Sequence, residues 1–308
     1  MAILELKETT KITEVQKMRL AEECIIKNIH ENAKALIYQL NCEDFAYELA
    51  SNERTCVIYS NNPLVKIHYQ SRFSFPSITG LKHRLKNIEL VNFTPNATIL
   101  EYLNPKTYSE FLSFRLYLED APKDIINLWI KSILGEILEN IPKMMHNKEP
   151  YCIDVKEQIL EYYQNIYQNI NPIRLLILHS FIPHFIEDTA QIEESLGGAK
   201  TTLVYYNPLF WQTQKFYSYN LLKIWFFGVS KENLAQIAPP SKELWIAQSK
   251  KDFAIINKNL ENRGLLYIES SQMQELEEFL KLALFYNYTL EGNYTTQEKT
   301  QIILLRKP

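Results

Sequence analysis

Glycine is scarce in this chain. It supplies 7 of 308 residues, where average usage of about 7% would give roughly 20. Glycine lets a backbone approach a phosphate closely or turn sharply at the tip of a parallel strand. No GxGxxG, GxxxxGK(S/T), GxSxG or HExxH pattern occurs, which excludes the usual dinucleotide, P-loop, serine-hydrolase and zinc-peptidase readings. The cysteines Cys24, Cys42, Cys56 and Cys152 are scattered, with no CxxC pair and no zinc spacing. Reduced buried thiols are therefore expected, with neither a disulfide framework nor a metal. A strong charge of one sign is missing too. The net charge of −3 gives no overall drive toward nucleic acid or an anionic membrane. The densest basic run, Lys82-His83-Arg84-Leu85-Lys86, reads as a solvated helix face. The N-terminus, Met-Ala-Ile-Leu-Glu-Leu-Lys-Glu, has no apolar signal core, and the longest apolar runs, near Leu175–Ile186 and Leu221–Val229, are far too short for a bilayer span. A cytoplasmic protein with no membrane span and no strong nucleic-acid signature is expected.

What the chain does have is apolar mass, 46% of its residues, enough for a sizeable core. Ile12, Val15, Met18, Ile25, Ile26 and Ile29 fall at spacings that predict one face of a helix across 12–33. Ala35-Leu36-Ile37-Tyr38 reads as a buried strand, and Asn41 caps the helix that follows, with Glu43 and Asp44 in its first turn. The β-branched run Thr55-Cys56-Val57-Ile58-Tyr59 is a second strand, ending at Asn61-Asn62-Pro63. A helix over Ile78–Leu85 and a strand over Ile88–Phe93 complete an alternation that implies a parallel sheet with right-handed crossovers. From Lys106 to Asn171 the pattern is helical, chiefly Ile125–Ile141 and Val155–Ile170, bounded by Pro105 and Pro172. Alternation then returns: a strand over Arg174–His179, a helix over Pro183–Leu196 stopped by Gly197-Gly198, and a strand over Thr202–Tyr206 ending at Asn207-Pro208. Helices through Leu221–Phe227, from Lys231 and over Lys250–Leu260 follow. The predicted fold is α/β, a mostly parallel Rossmann-like sheet with a helical insertion in the middle. Its segments are an N-terminal helix (1–33), a first α/β segment (34–105), a helical insertion or cap (106–171) and a second α/β segment (172–308).

The tail is the most legible part. Phe253–Leu260 is helical, Asn262-Arg263-Gly264 turns it into the strand Leu265–Glu269, and a helix spans Gln274–Leu284. Tyr288–Glu291 and Gln301–Leu305 are then strands joined by a polar turn. This order resembles the end of class I S-adenosylmethionine-dependent methyltransferases, where a helix precedes a glycine turn and the fifth strand, and the chain finishes with an antiparallel hairpin. Upstream, Tyr206-Asn207-Pro208-Leu209-Phe210 is similar to the Asn-Pro-Pro-aromatic motif of members that modify amino nitrogens. The resemblance implies that Asn207 accepts a hydrogen bond from the target amino group, that Phe210 stacks on it, and that S-adenosylmethionine is the methyl donor. It also implies that Ala35–Leu49 forms the cofactor's strand, loop and helix, with Asn41 and Glu43 in the loop. The chain departs from the family in three places: the second proline is Leu209, the loop Gln39–Glu43 has no glycine, and Tyr59-Ser60-Asn61 lacks the acid that ends the family's second strand and binds the ribose hydroxyls. Leu175–His179 is an alternative first strand, also without the loop.

Other groups have a chemical and a plainer reading. His179, His184, Glu187 and Asp188 gather after one expected strand, where an acid, base or metal ligand would sit, or they are helix N-terminal polarity with a turn histidine. Glu269 ends an apolar strand, where its carboxylate would bind ribose or act as base, or precede a helix cap with Ser270 and Ser271. Gly197-Gly198-Ala199-Lys200 is an anion nest or, more simply, a helix stop. The aromatics from Tyr205 to Phe227 form a stacking surface or a core.

Three functional classes follow. The first is a divergent methyltransferase-like protein with Asn207, Phe210 and His179 as catalytic residues and Asn41, Glu43 and Glu269 holding S-adenosylmethionine. It acts on a small-molecule or macromolecular amino group, or it serves as a cofactor-less subunit that stimulates a protein partner. The second is a nucleotide-sugar glycosyltransferase with two Rossmann-like halves, 34–105 and 171–308. The third is a non-enzymatic interaction module.

Overall fold

The computed structural model describes residues 9–308 apart from 31–32, 40–43, 66–72, 74, 92–95, 145–148, 170, 209–212, 231–232, 234–236, 238, 271–272 and 298. Eight strands, β1 (Thr10–Ile12), β2 (Lys34–Tyr38), β3 (Thr55–Tyr59), β4 (His184–Ile186), β5 (Thr201–Tyr206), β6 (Leu260–Ser270), β7 (Thr289–Thr296) and β8 (Gln301–Arg306), form one sheet. Their spatial order is β1-β7-β8-β6-β5-β2-β3-β4. β8 runs antiparallel to both its neighbours, β6 and β7, and the other pairs are parallel. From β2 the chain moves outward on one side to β3 and β4, then returns to place β5 on the other side of β2. That reversal is the switch point of a doubly wound sheet, where ligands bind beyond the carboxyl ends of the strands.

The helices are α1 (Glu14–Asn28), α2 (Asp44–Ser51), α3 (Ile78–Lys86), α4 (Ala97–Leu100), α5 (Pro105–Asp120), α6 (Ile125–Met144), α7 (Val155–Asn169), α8 (Pro172–Ser180), α9 (Ile192–Ser195), α10 (Thr213–Phe227), α11 (Lys242–Asn259) and α12 (Met273–Phe285). Their ends obey local chemistry. Thr13 and Gln16 form a capping box at the start of α1, each side chain accepting from the other's backbone N–H, at 3.2 and 2.8 Å. Asn104 caps α5, with Pro105 at its first position. Gly197 and Gly198 both have φ near +75° and stop α9 by donating to the carbonyls of Glu194 and Glu193, so this glycine pair is a helix stop.

The chain divides into two compact units. One, 1–65 with 180–213 and 235–308, contains the sheet; the other, 66–179 with 214–234, has only helices among its described regular elements. In the sheet unit, Leu36, Val57, Val204, Leu266, Ile268 and Ile303 pack against Trp245, Phe253 and Ile256 of α11 and Phe279 and Leu280 of α12. The helical unit has its own core of Phe111, Phe114, Trp129, Ile130, Leu134 and Ile159, joined by Leu222 and Phe226 of α10. Cys24 and Cys56 are buried and Cys152 is exposed, all as free thiols. Burial pushes the Cys24 thiol up to about 12 and raises Cys56 as well, so neither is a nucleophile at neutral pH.

Several expected elements are corrected. Ile88–Val91 forms no strand, and the expected strand's last residues, Asn92 and Phe93, lie outside the described residues. The backbone of this segment is satisfied by helix side chains: Lys156 donates to the Ile88 carbonyl, Ser113 accepts from Val91 N–H, and Ser109 donates to the Val91 carbonyl. Arg174–His179 is the body of α8, because Asn171 accepts from Ile173 N–H and Pro172 opens the helix. A short Leu/Ile run fits either structure, and the Asn-Pro start decides between them. The helix expected over Pro183–Leu196 begins as β4, which pairs with β3, and becomes helical only at a 3₁₀ turn over Thr189–Gln191 and α9. On α1, Val15, Met18 and Ile26 are exposed, and the expected Ile25 is buried together with Ala21 and Cys24. The strands of the two expected α/β segments belong to one sheet, which removes the two-halved architecture behind the glycosyltransferase reading.

Leu260 opens β6 directly from α11, so the expected turn at Asn262-Arg263-Gly264 lies inside a strand. Arg263 has φ +63°, and a Cβ on Gly264 would lie 2.5 Å from Leu260 Cδ1 and 2.9 Å from the Glu261 carbonyl oxygen. The carbonyl belongs to the backbone and cannot swing aside. Gly264→Ala is therefore expected to cost about 1–3 kcal/mol, read as a lower urea midpoint; an unchanged midpoint would show that the strand relaxes around the methyl.

Candidate functional site

The register of β2 against β5 pairs Tyr38 with Tyr206, so the next residues, Gln39 and Asn207, leave the sheet side by side at the switch point. Gln39 has φ +57° and its N–H donates to the Tyr59 carbonyl at 2.8 Å. A glutamine in left-handed backbone stores strain of order 1 kcal/mol, and such strain collects at binding sites.

Alternation along the strands sends neighbouring tyrosines to opposite faces. On one face, the hydroxyls of Tyr38 and Tyr206 both donate to the Asp252 carboxylate of α11, at 3.1 and 2.9 Å, and Gln248 Nε2 donates to it at 2.8 Å. The three groups close a buried cluster, with the Tyr59 ring 5.0 Å from that of Tyr38. Burial pushes the Asp252 carboxyl up to about 6 and raises both tyrosine hydroxyls, which burial and the nearby carboxylate hold protonated.

On the other face the Tyr205 ring stacks on Phe45 at 4.3 Å, with Tyr267 5.5 Å from Tyr205. From this aromatic floor a polar chain runs to the sheet edge. Lys17 Nζ of α1 meets Glu269 Oε1 at 2.6 Å, Tyr205 donates its hydroxyl to Glu269 Oε2 at 3.0 Å, and Asn207 Nδ2 donates to the Tyr205 oxygen at 3.1 Å. Glu269 is buried and Asn207 half-buried. The chain orients the Asn207 amide from a buried ion pair.

Of the sequence-predicted site residues, Asn207 and Glu269 are thus brought together, with Tyr205 between them. His179 is not at a strand end; it is exposed in the last turn of α8, within the helical unit. His184 opens β4 and is exposed, and Asp188 caps the 3₁₀ turn by accepting from Ala190 N–H. Phe210, Asn41 and Glu43 lie outside the described residues. Among the described residues no group of three or more His, Cys, Asp or Glu could hold a metal ion, and no helix is long and apolar enough to cross a membrane. In the basic run Lys82–Lys86, which lies on α3, Arg84 pairs with Asp124 at 2.8 Å. The buried aromatics Tyr205, Tyr206 and Phe226 serve as core. Lys17, Tyr205 and Asp252 escaped sequence reasoning. The one signal available for Asp252 is an acid set beside the apolar run Phe253-Ala254-Ile255-Ile256.

The strand series closes with β6, α12 and the antiparallel pair β7–β8, as the tail of the sequence implied. The fold is methyltransferase-like. No family model matches the chain, and no curated protein matches it in sequence. Two solved structures align with it along nearly their whole length at low similarity. Precorrin-6y C5,15-methyltransferase from Geobacter metallireducens GS-15 shares 7% identity at a TM-score of 0.37, covering 100% of this chain and 98% of that one. The rRNA methyltransferase aviRa from Streptomyces viridochromogenes shares 7% identity at a TM-score of 0.35, covering 98% of this chain and 88% of that one. Strand order and the closing hairpin carry the fold assignment.

S-adenosylmethionine, which the fold implies, is held in such proteins by a glycine-rich turn after the first strand and a carboxylate at the end of the second. Among the described residues the donor set does not fit it. The end of β3 offers Ser60 and Asn62, both buried, and a side-chain oxygen of each accepts within their own turn. Ser60 Oγ accepts from Asn62 N–H and Asn62 Oδ1 accepts from Leu64 N–H, each at 3.1 Å. Glu269, the carboxylate at the sheet edge, is neutralised by Lys17.

Proposed function

We propose that this chain is a cofactor-free methyltransferase-like protein, a binding subunit that works with a protein partner on an amino-group substrate in the cytoplasm. One observation carries the cofactor-free half: the polar groups at the end of β3 cap their own turn where a ribose-binding carboxylate is needed. The switch point, with Asn207-Pro208 beside the left-handed Gln39, supports the methyltransferase-like half. His179, exposed in the last turn of α8 and part of the helical unit, has no role in this reading.

A thermal-shift screen against S-adenosylmethionine, S-adenosylhomocysteine and a panel of nucleotide sugars tests it. A ligand at about 100 times its Kd stabilises by about 2.7 kcal/mol, a shift that is easily seen. No shift with any of them is the expected result; a clear shift with the sulfonium compound or its demethylated product overturns the proposal.

The second reading is an active amino methyltransferase, favoured by the Lys17–Glu269–Tyr205–Asn207 chain, which orients an amide at the position the amino-modifying motif uses. There Asn207 and Phe210 would hold the amino group, with Asn41 and Glu43 on the cofactor, and catalysis would be mainly positioning.

A further inference from the structure

We infer that the groove between α11 and α12 docks an acidic amphipathic helix of a partner protein. The groove has a volume of about 490 Å³ and is lined by Ile246 and Lys250 of α11 and by Glu278, Lys281, Leu282 and Phe285 of α12. Its floor is apolar: Ile246 and Leu282 pack on the sheet unit's core. At its end the Phe285 ring is 77% exposed, set edge-on to Tyr286 at 5.1 Å. An exposed phenylalanine beside an apolar trough between two helices matches the helix-in-groove mode of recognition, where apolar side chains of a partner helix enter at helical spacing.

The charge on the rim selects the partner's flanks. Glu278 is the carboxylate of the lining, and it is already shared by Lys281 at 3.1 Å and Lys242 at 3.7 Å. Lys250 has no ion pair among the described residues. The rim is therefore positive on a chain whose net charge is −3. A helix with Leu or Phe on one face and Glu or Asp beside it satisfies both the floor and the rim, whereas a basic helix meets uncompensated lysines.

The inference rests on the proposed function only for the existence of a protein partner. S-adenosylmethionine binding would sink that reading and leave the docking result untouched, so the two failures are distinguishable. The test uses the full chain and a fluorescent synthetic peptide of about four helical turns, with Leu on one face and Glu on its flanks. A second peptide has every Glu replaced by Lys. Saturable binding of the acidic peptide alone is expected, weakened about tenfold or more in the Lys250→Glu/Lys281→Glu double variant and in Phe285→Ser. Both changes are at exposed or half-exposed side chains, and circular dichroism checks that the variants fold. Three results would overturn the inference: no binding of the acidic peptide, equal binding of the two peptides, or a dimer in light scattering that Phe285→Ser converts to monomer. The last would assign the groove to a second copy of this chain.

Discussion

Lys17→Ala is expected to lower the unfolding free energy by about 3 kcal/mol, the low end of the cost of breaking a buried ion pair. Its partner Glu269 has a side chain only 8% exposed, against 17% for Lys17. Without the ammonium, the Glu269 carboxylate would keep, among the described residues, the Tyr205 hydroxyl as its donor, and a buried charge held by one neutral donor is strongly unfavourable. The reverse change, Glu269→Gln, is milder because the lysine retains some access to water. A Lys17→Ala/Glu269→Gln double variant is expected to recover most of the loss, since it removes both charges while keeping an acceptor for Tyr205. Denaturant unfolding of the four proteins measures the coupling. A loss below about 0.5 kcal/mol for Lys17→Ala would mean that the pair behaves like an exposed one, and the orientation of Asn207 would not depend on it.

Asp252→Ala is expected to cost a similar amount, about 3 kcal/mol. It strips acceptors from two buried tyrosine hydroxyls and from Gln248, and an unsatisfied buried donor costs about 1–3 kcal/mol. Gln248 can turn toward water and Tyr206 keeps a hydrogen bond with Ser249, so the penalties do not sum fully. The same carboxylate sets a pH dependence. Its folded pKa of about 6 lies above its ordinary 3.8, so between those values the folded state binds more protons than the unfolded one. Stability from this group is therefore greatest below pH 4 and falls by roughly 3 kcal/mol as pH rises to 6, then stays flat. Asp252→Asn removes the titration and keeps an acceptor. The measurement is the difference in stability between wild type and Asp252→Asn at pH 4 and at pH 7. The asparagine variant should gain on the wild type over that interval, and a constant difference would show that Asp252 titrates normally.

Most of the sheet was legible in the sequence because its strands are short apolar or β-branched runs bounded by turn residues. Thr55–Tyr59 ends at Asn-Asn-Pro, Thr202–Tyr206 at Asn-Pro, and Leu265–Glu269 follows a glycine. The failures lie where that pattern is ambiguous. Arg174–His179 and Ile88–Val91 are apolar enough for strands, yet the first is an exposed amphipathic helix and the second is held by side chains of α5 and α7. Only long-range packing makes those decisions. His184-Phe185-Ile186 is too short for its strand character to show before the edge of β3 is known to need a partner. At the site, Asn207 and Glu269 could be placed at strand ends by counting. Their connection could not, because Tyr205 reads as one more core aromatic and Lys17 stands 252 positions before Glu269. Asp252 was hidden for the same reason: its two tyrosines come from strands 214 and 46 residues upstream.

The most direct measurement is a calorimetric titration of the purified chain with S-adenosylmethionine, with S-adenosylhomocysteine as its companion. At the end of β3 the described turn Ser60–Leu64 supplies amide and hydroxyl oxygens rather than a carboxylate, and Glu269 is neutralised by Lys17, so the expected result is heat of dilution alone. A saturable one-to-one binding curve for either compound would contradict the cofactor-free reading and move the weight to Asn207 as the acceptor for an amino group.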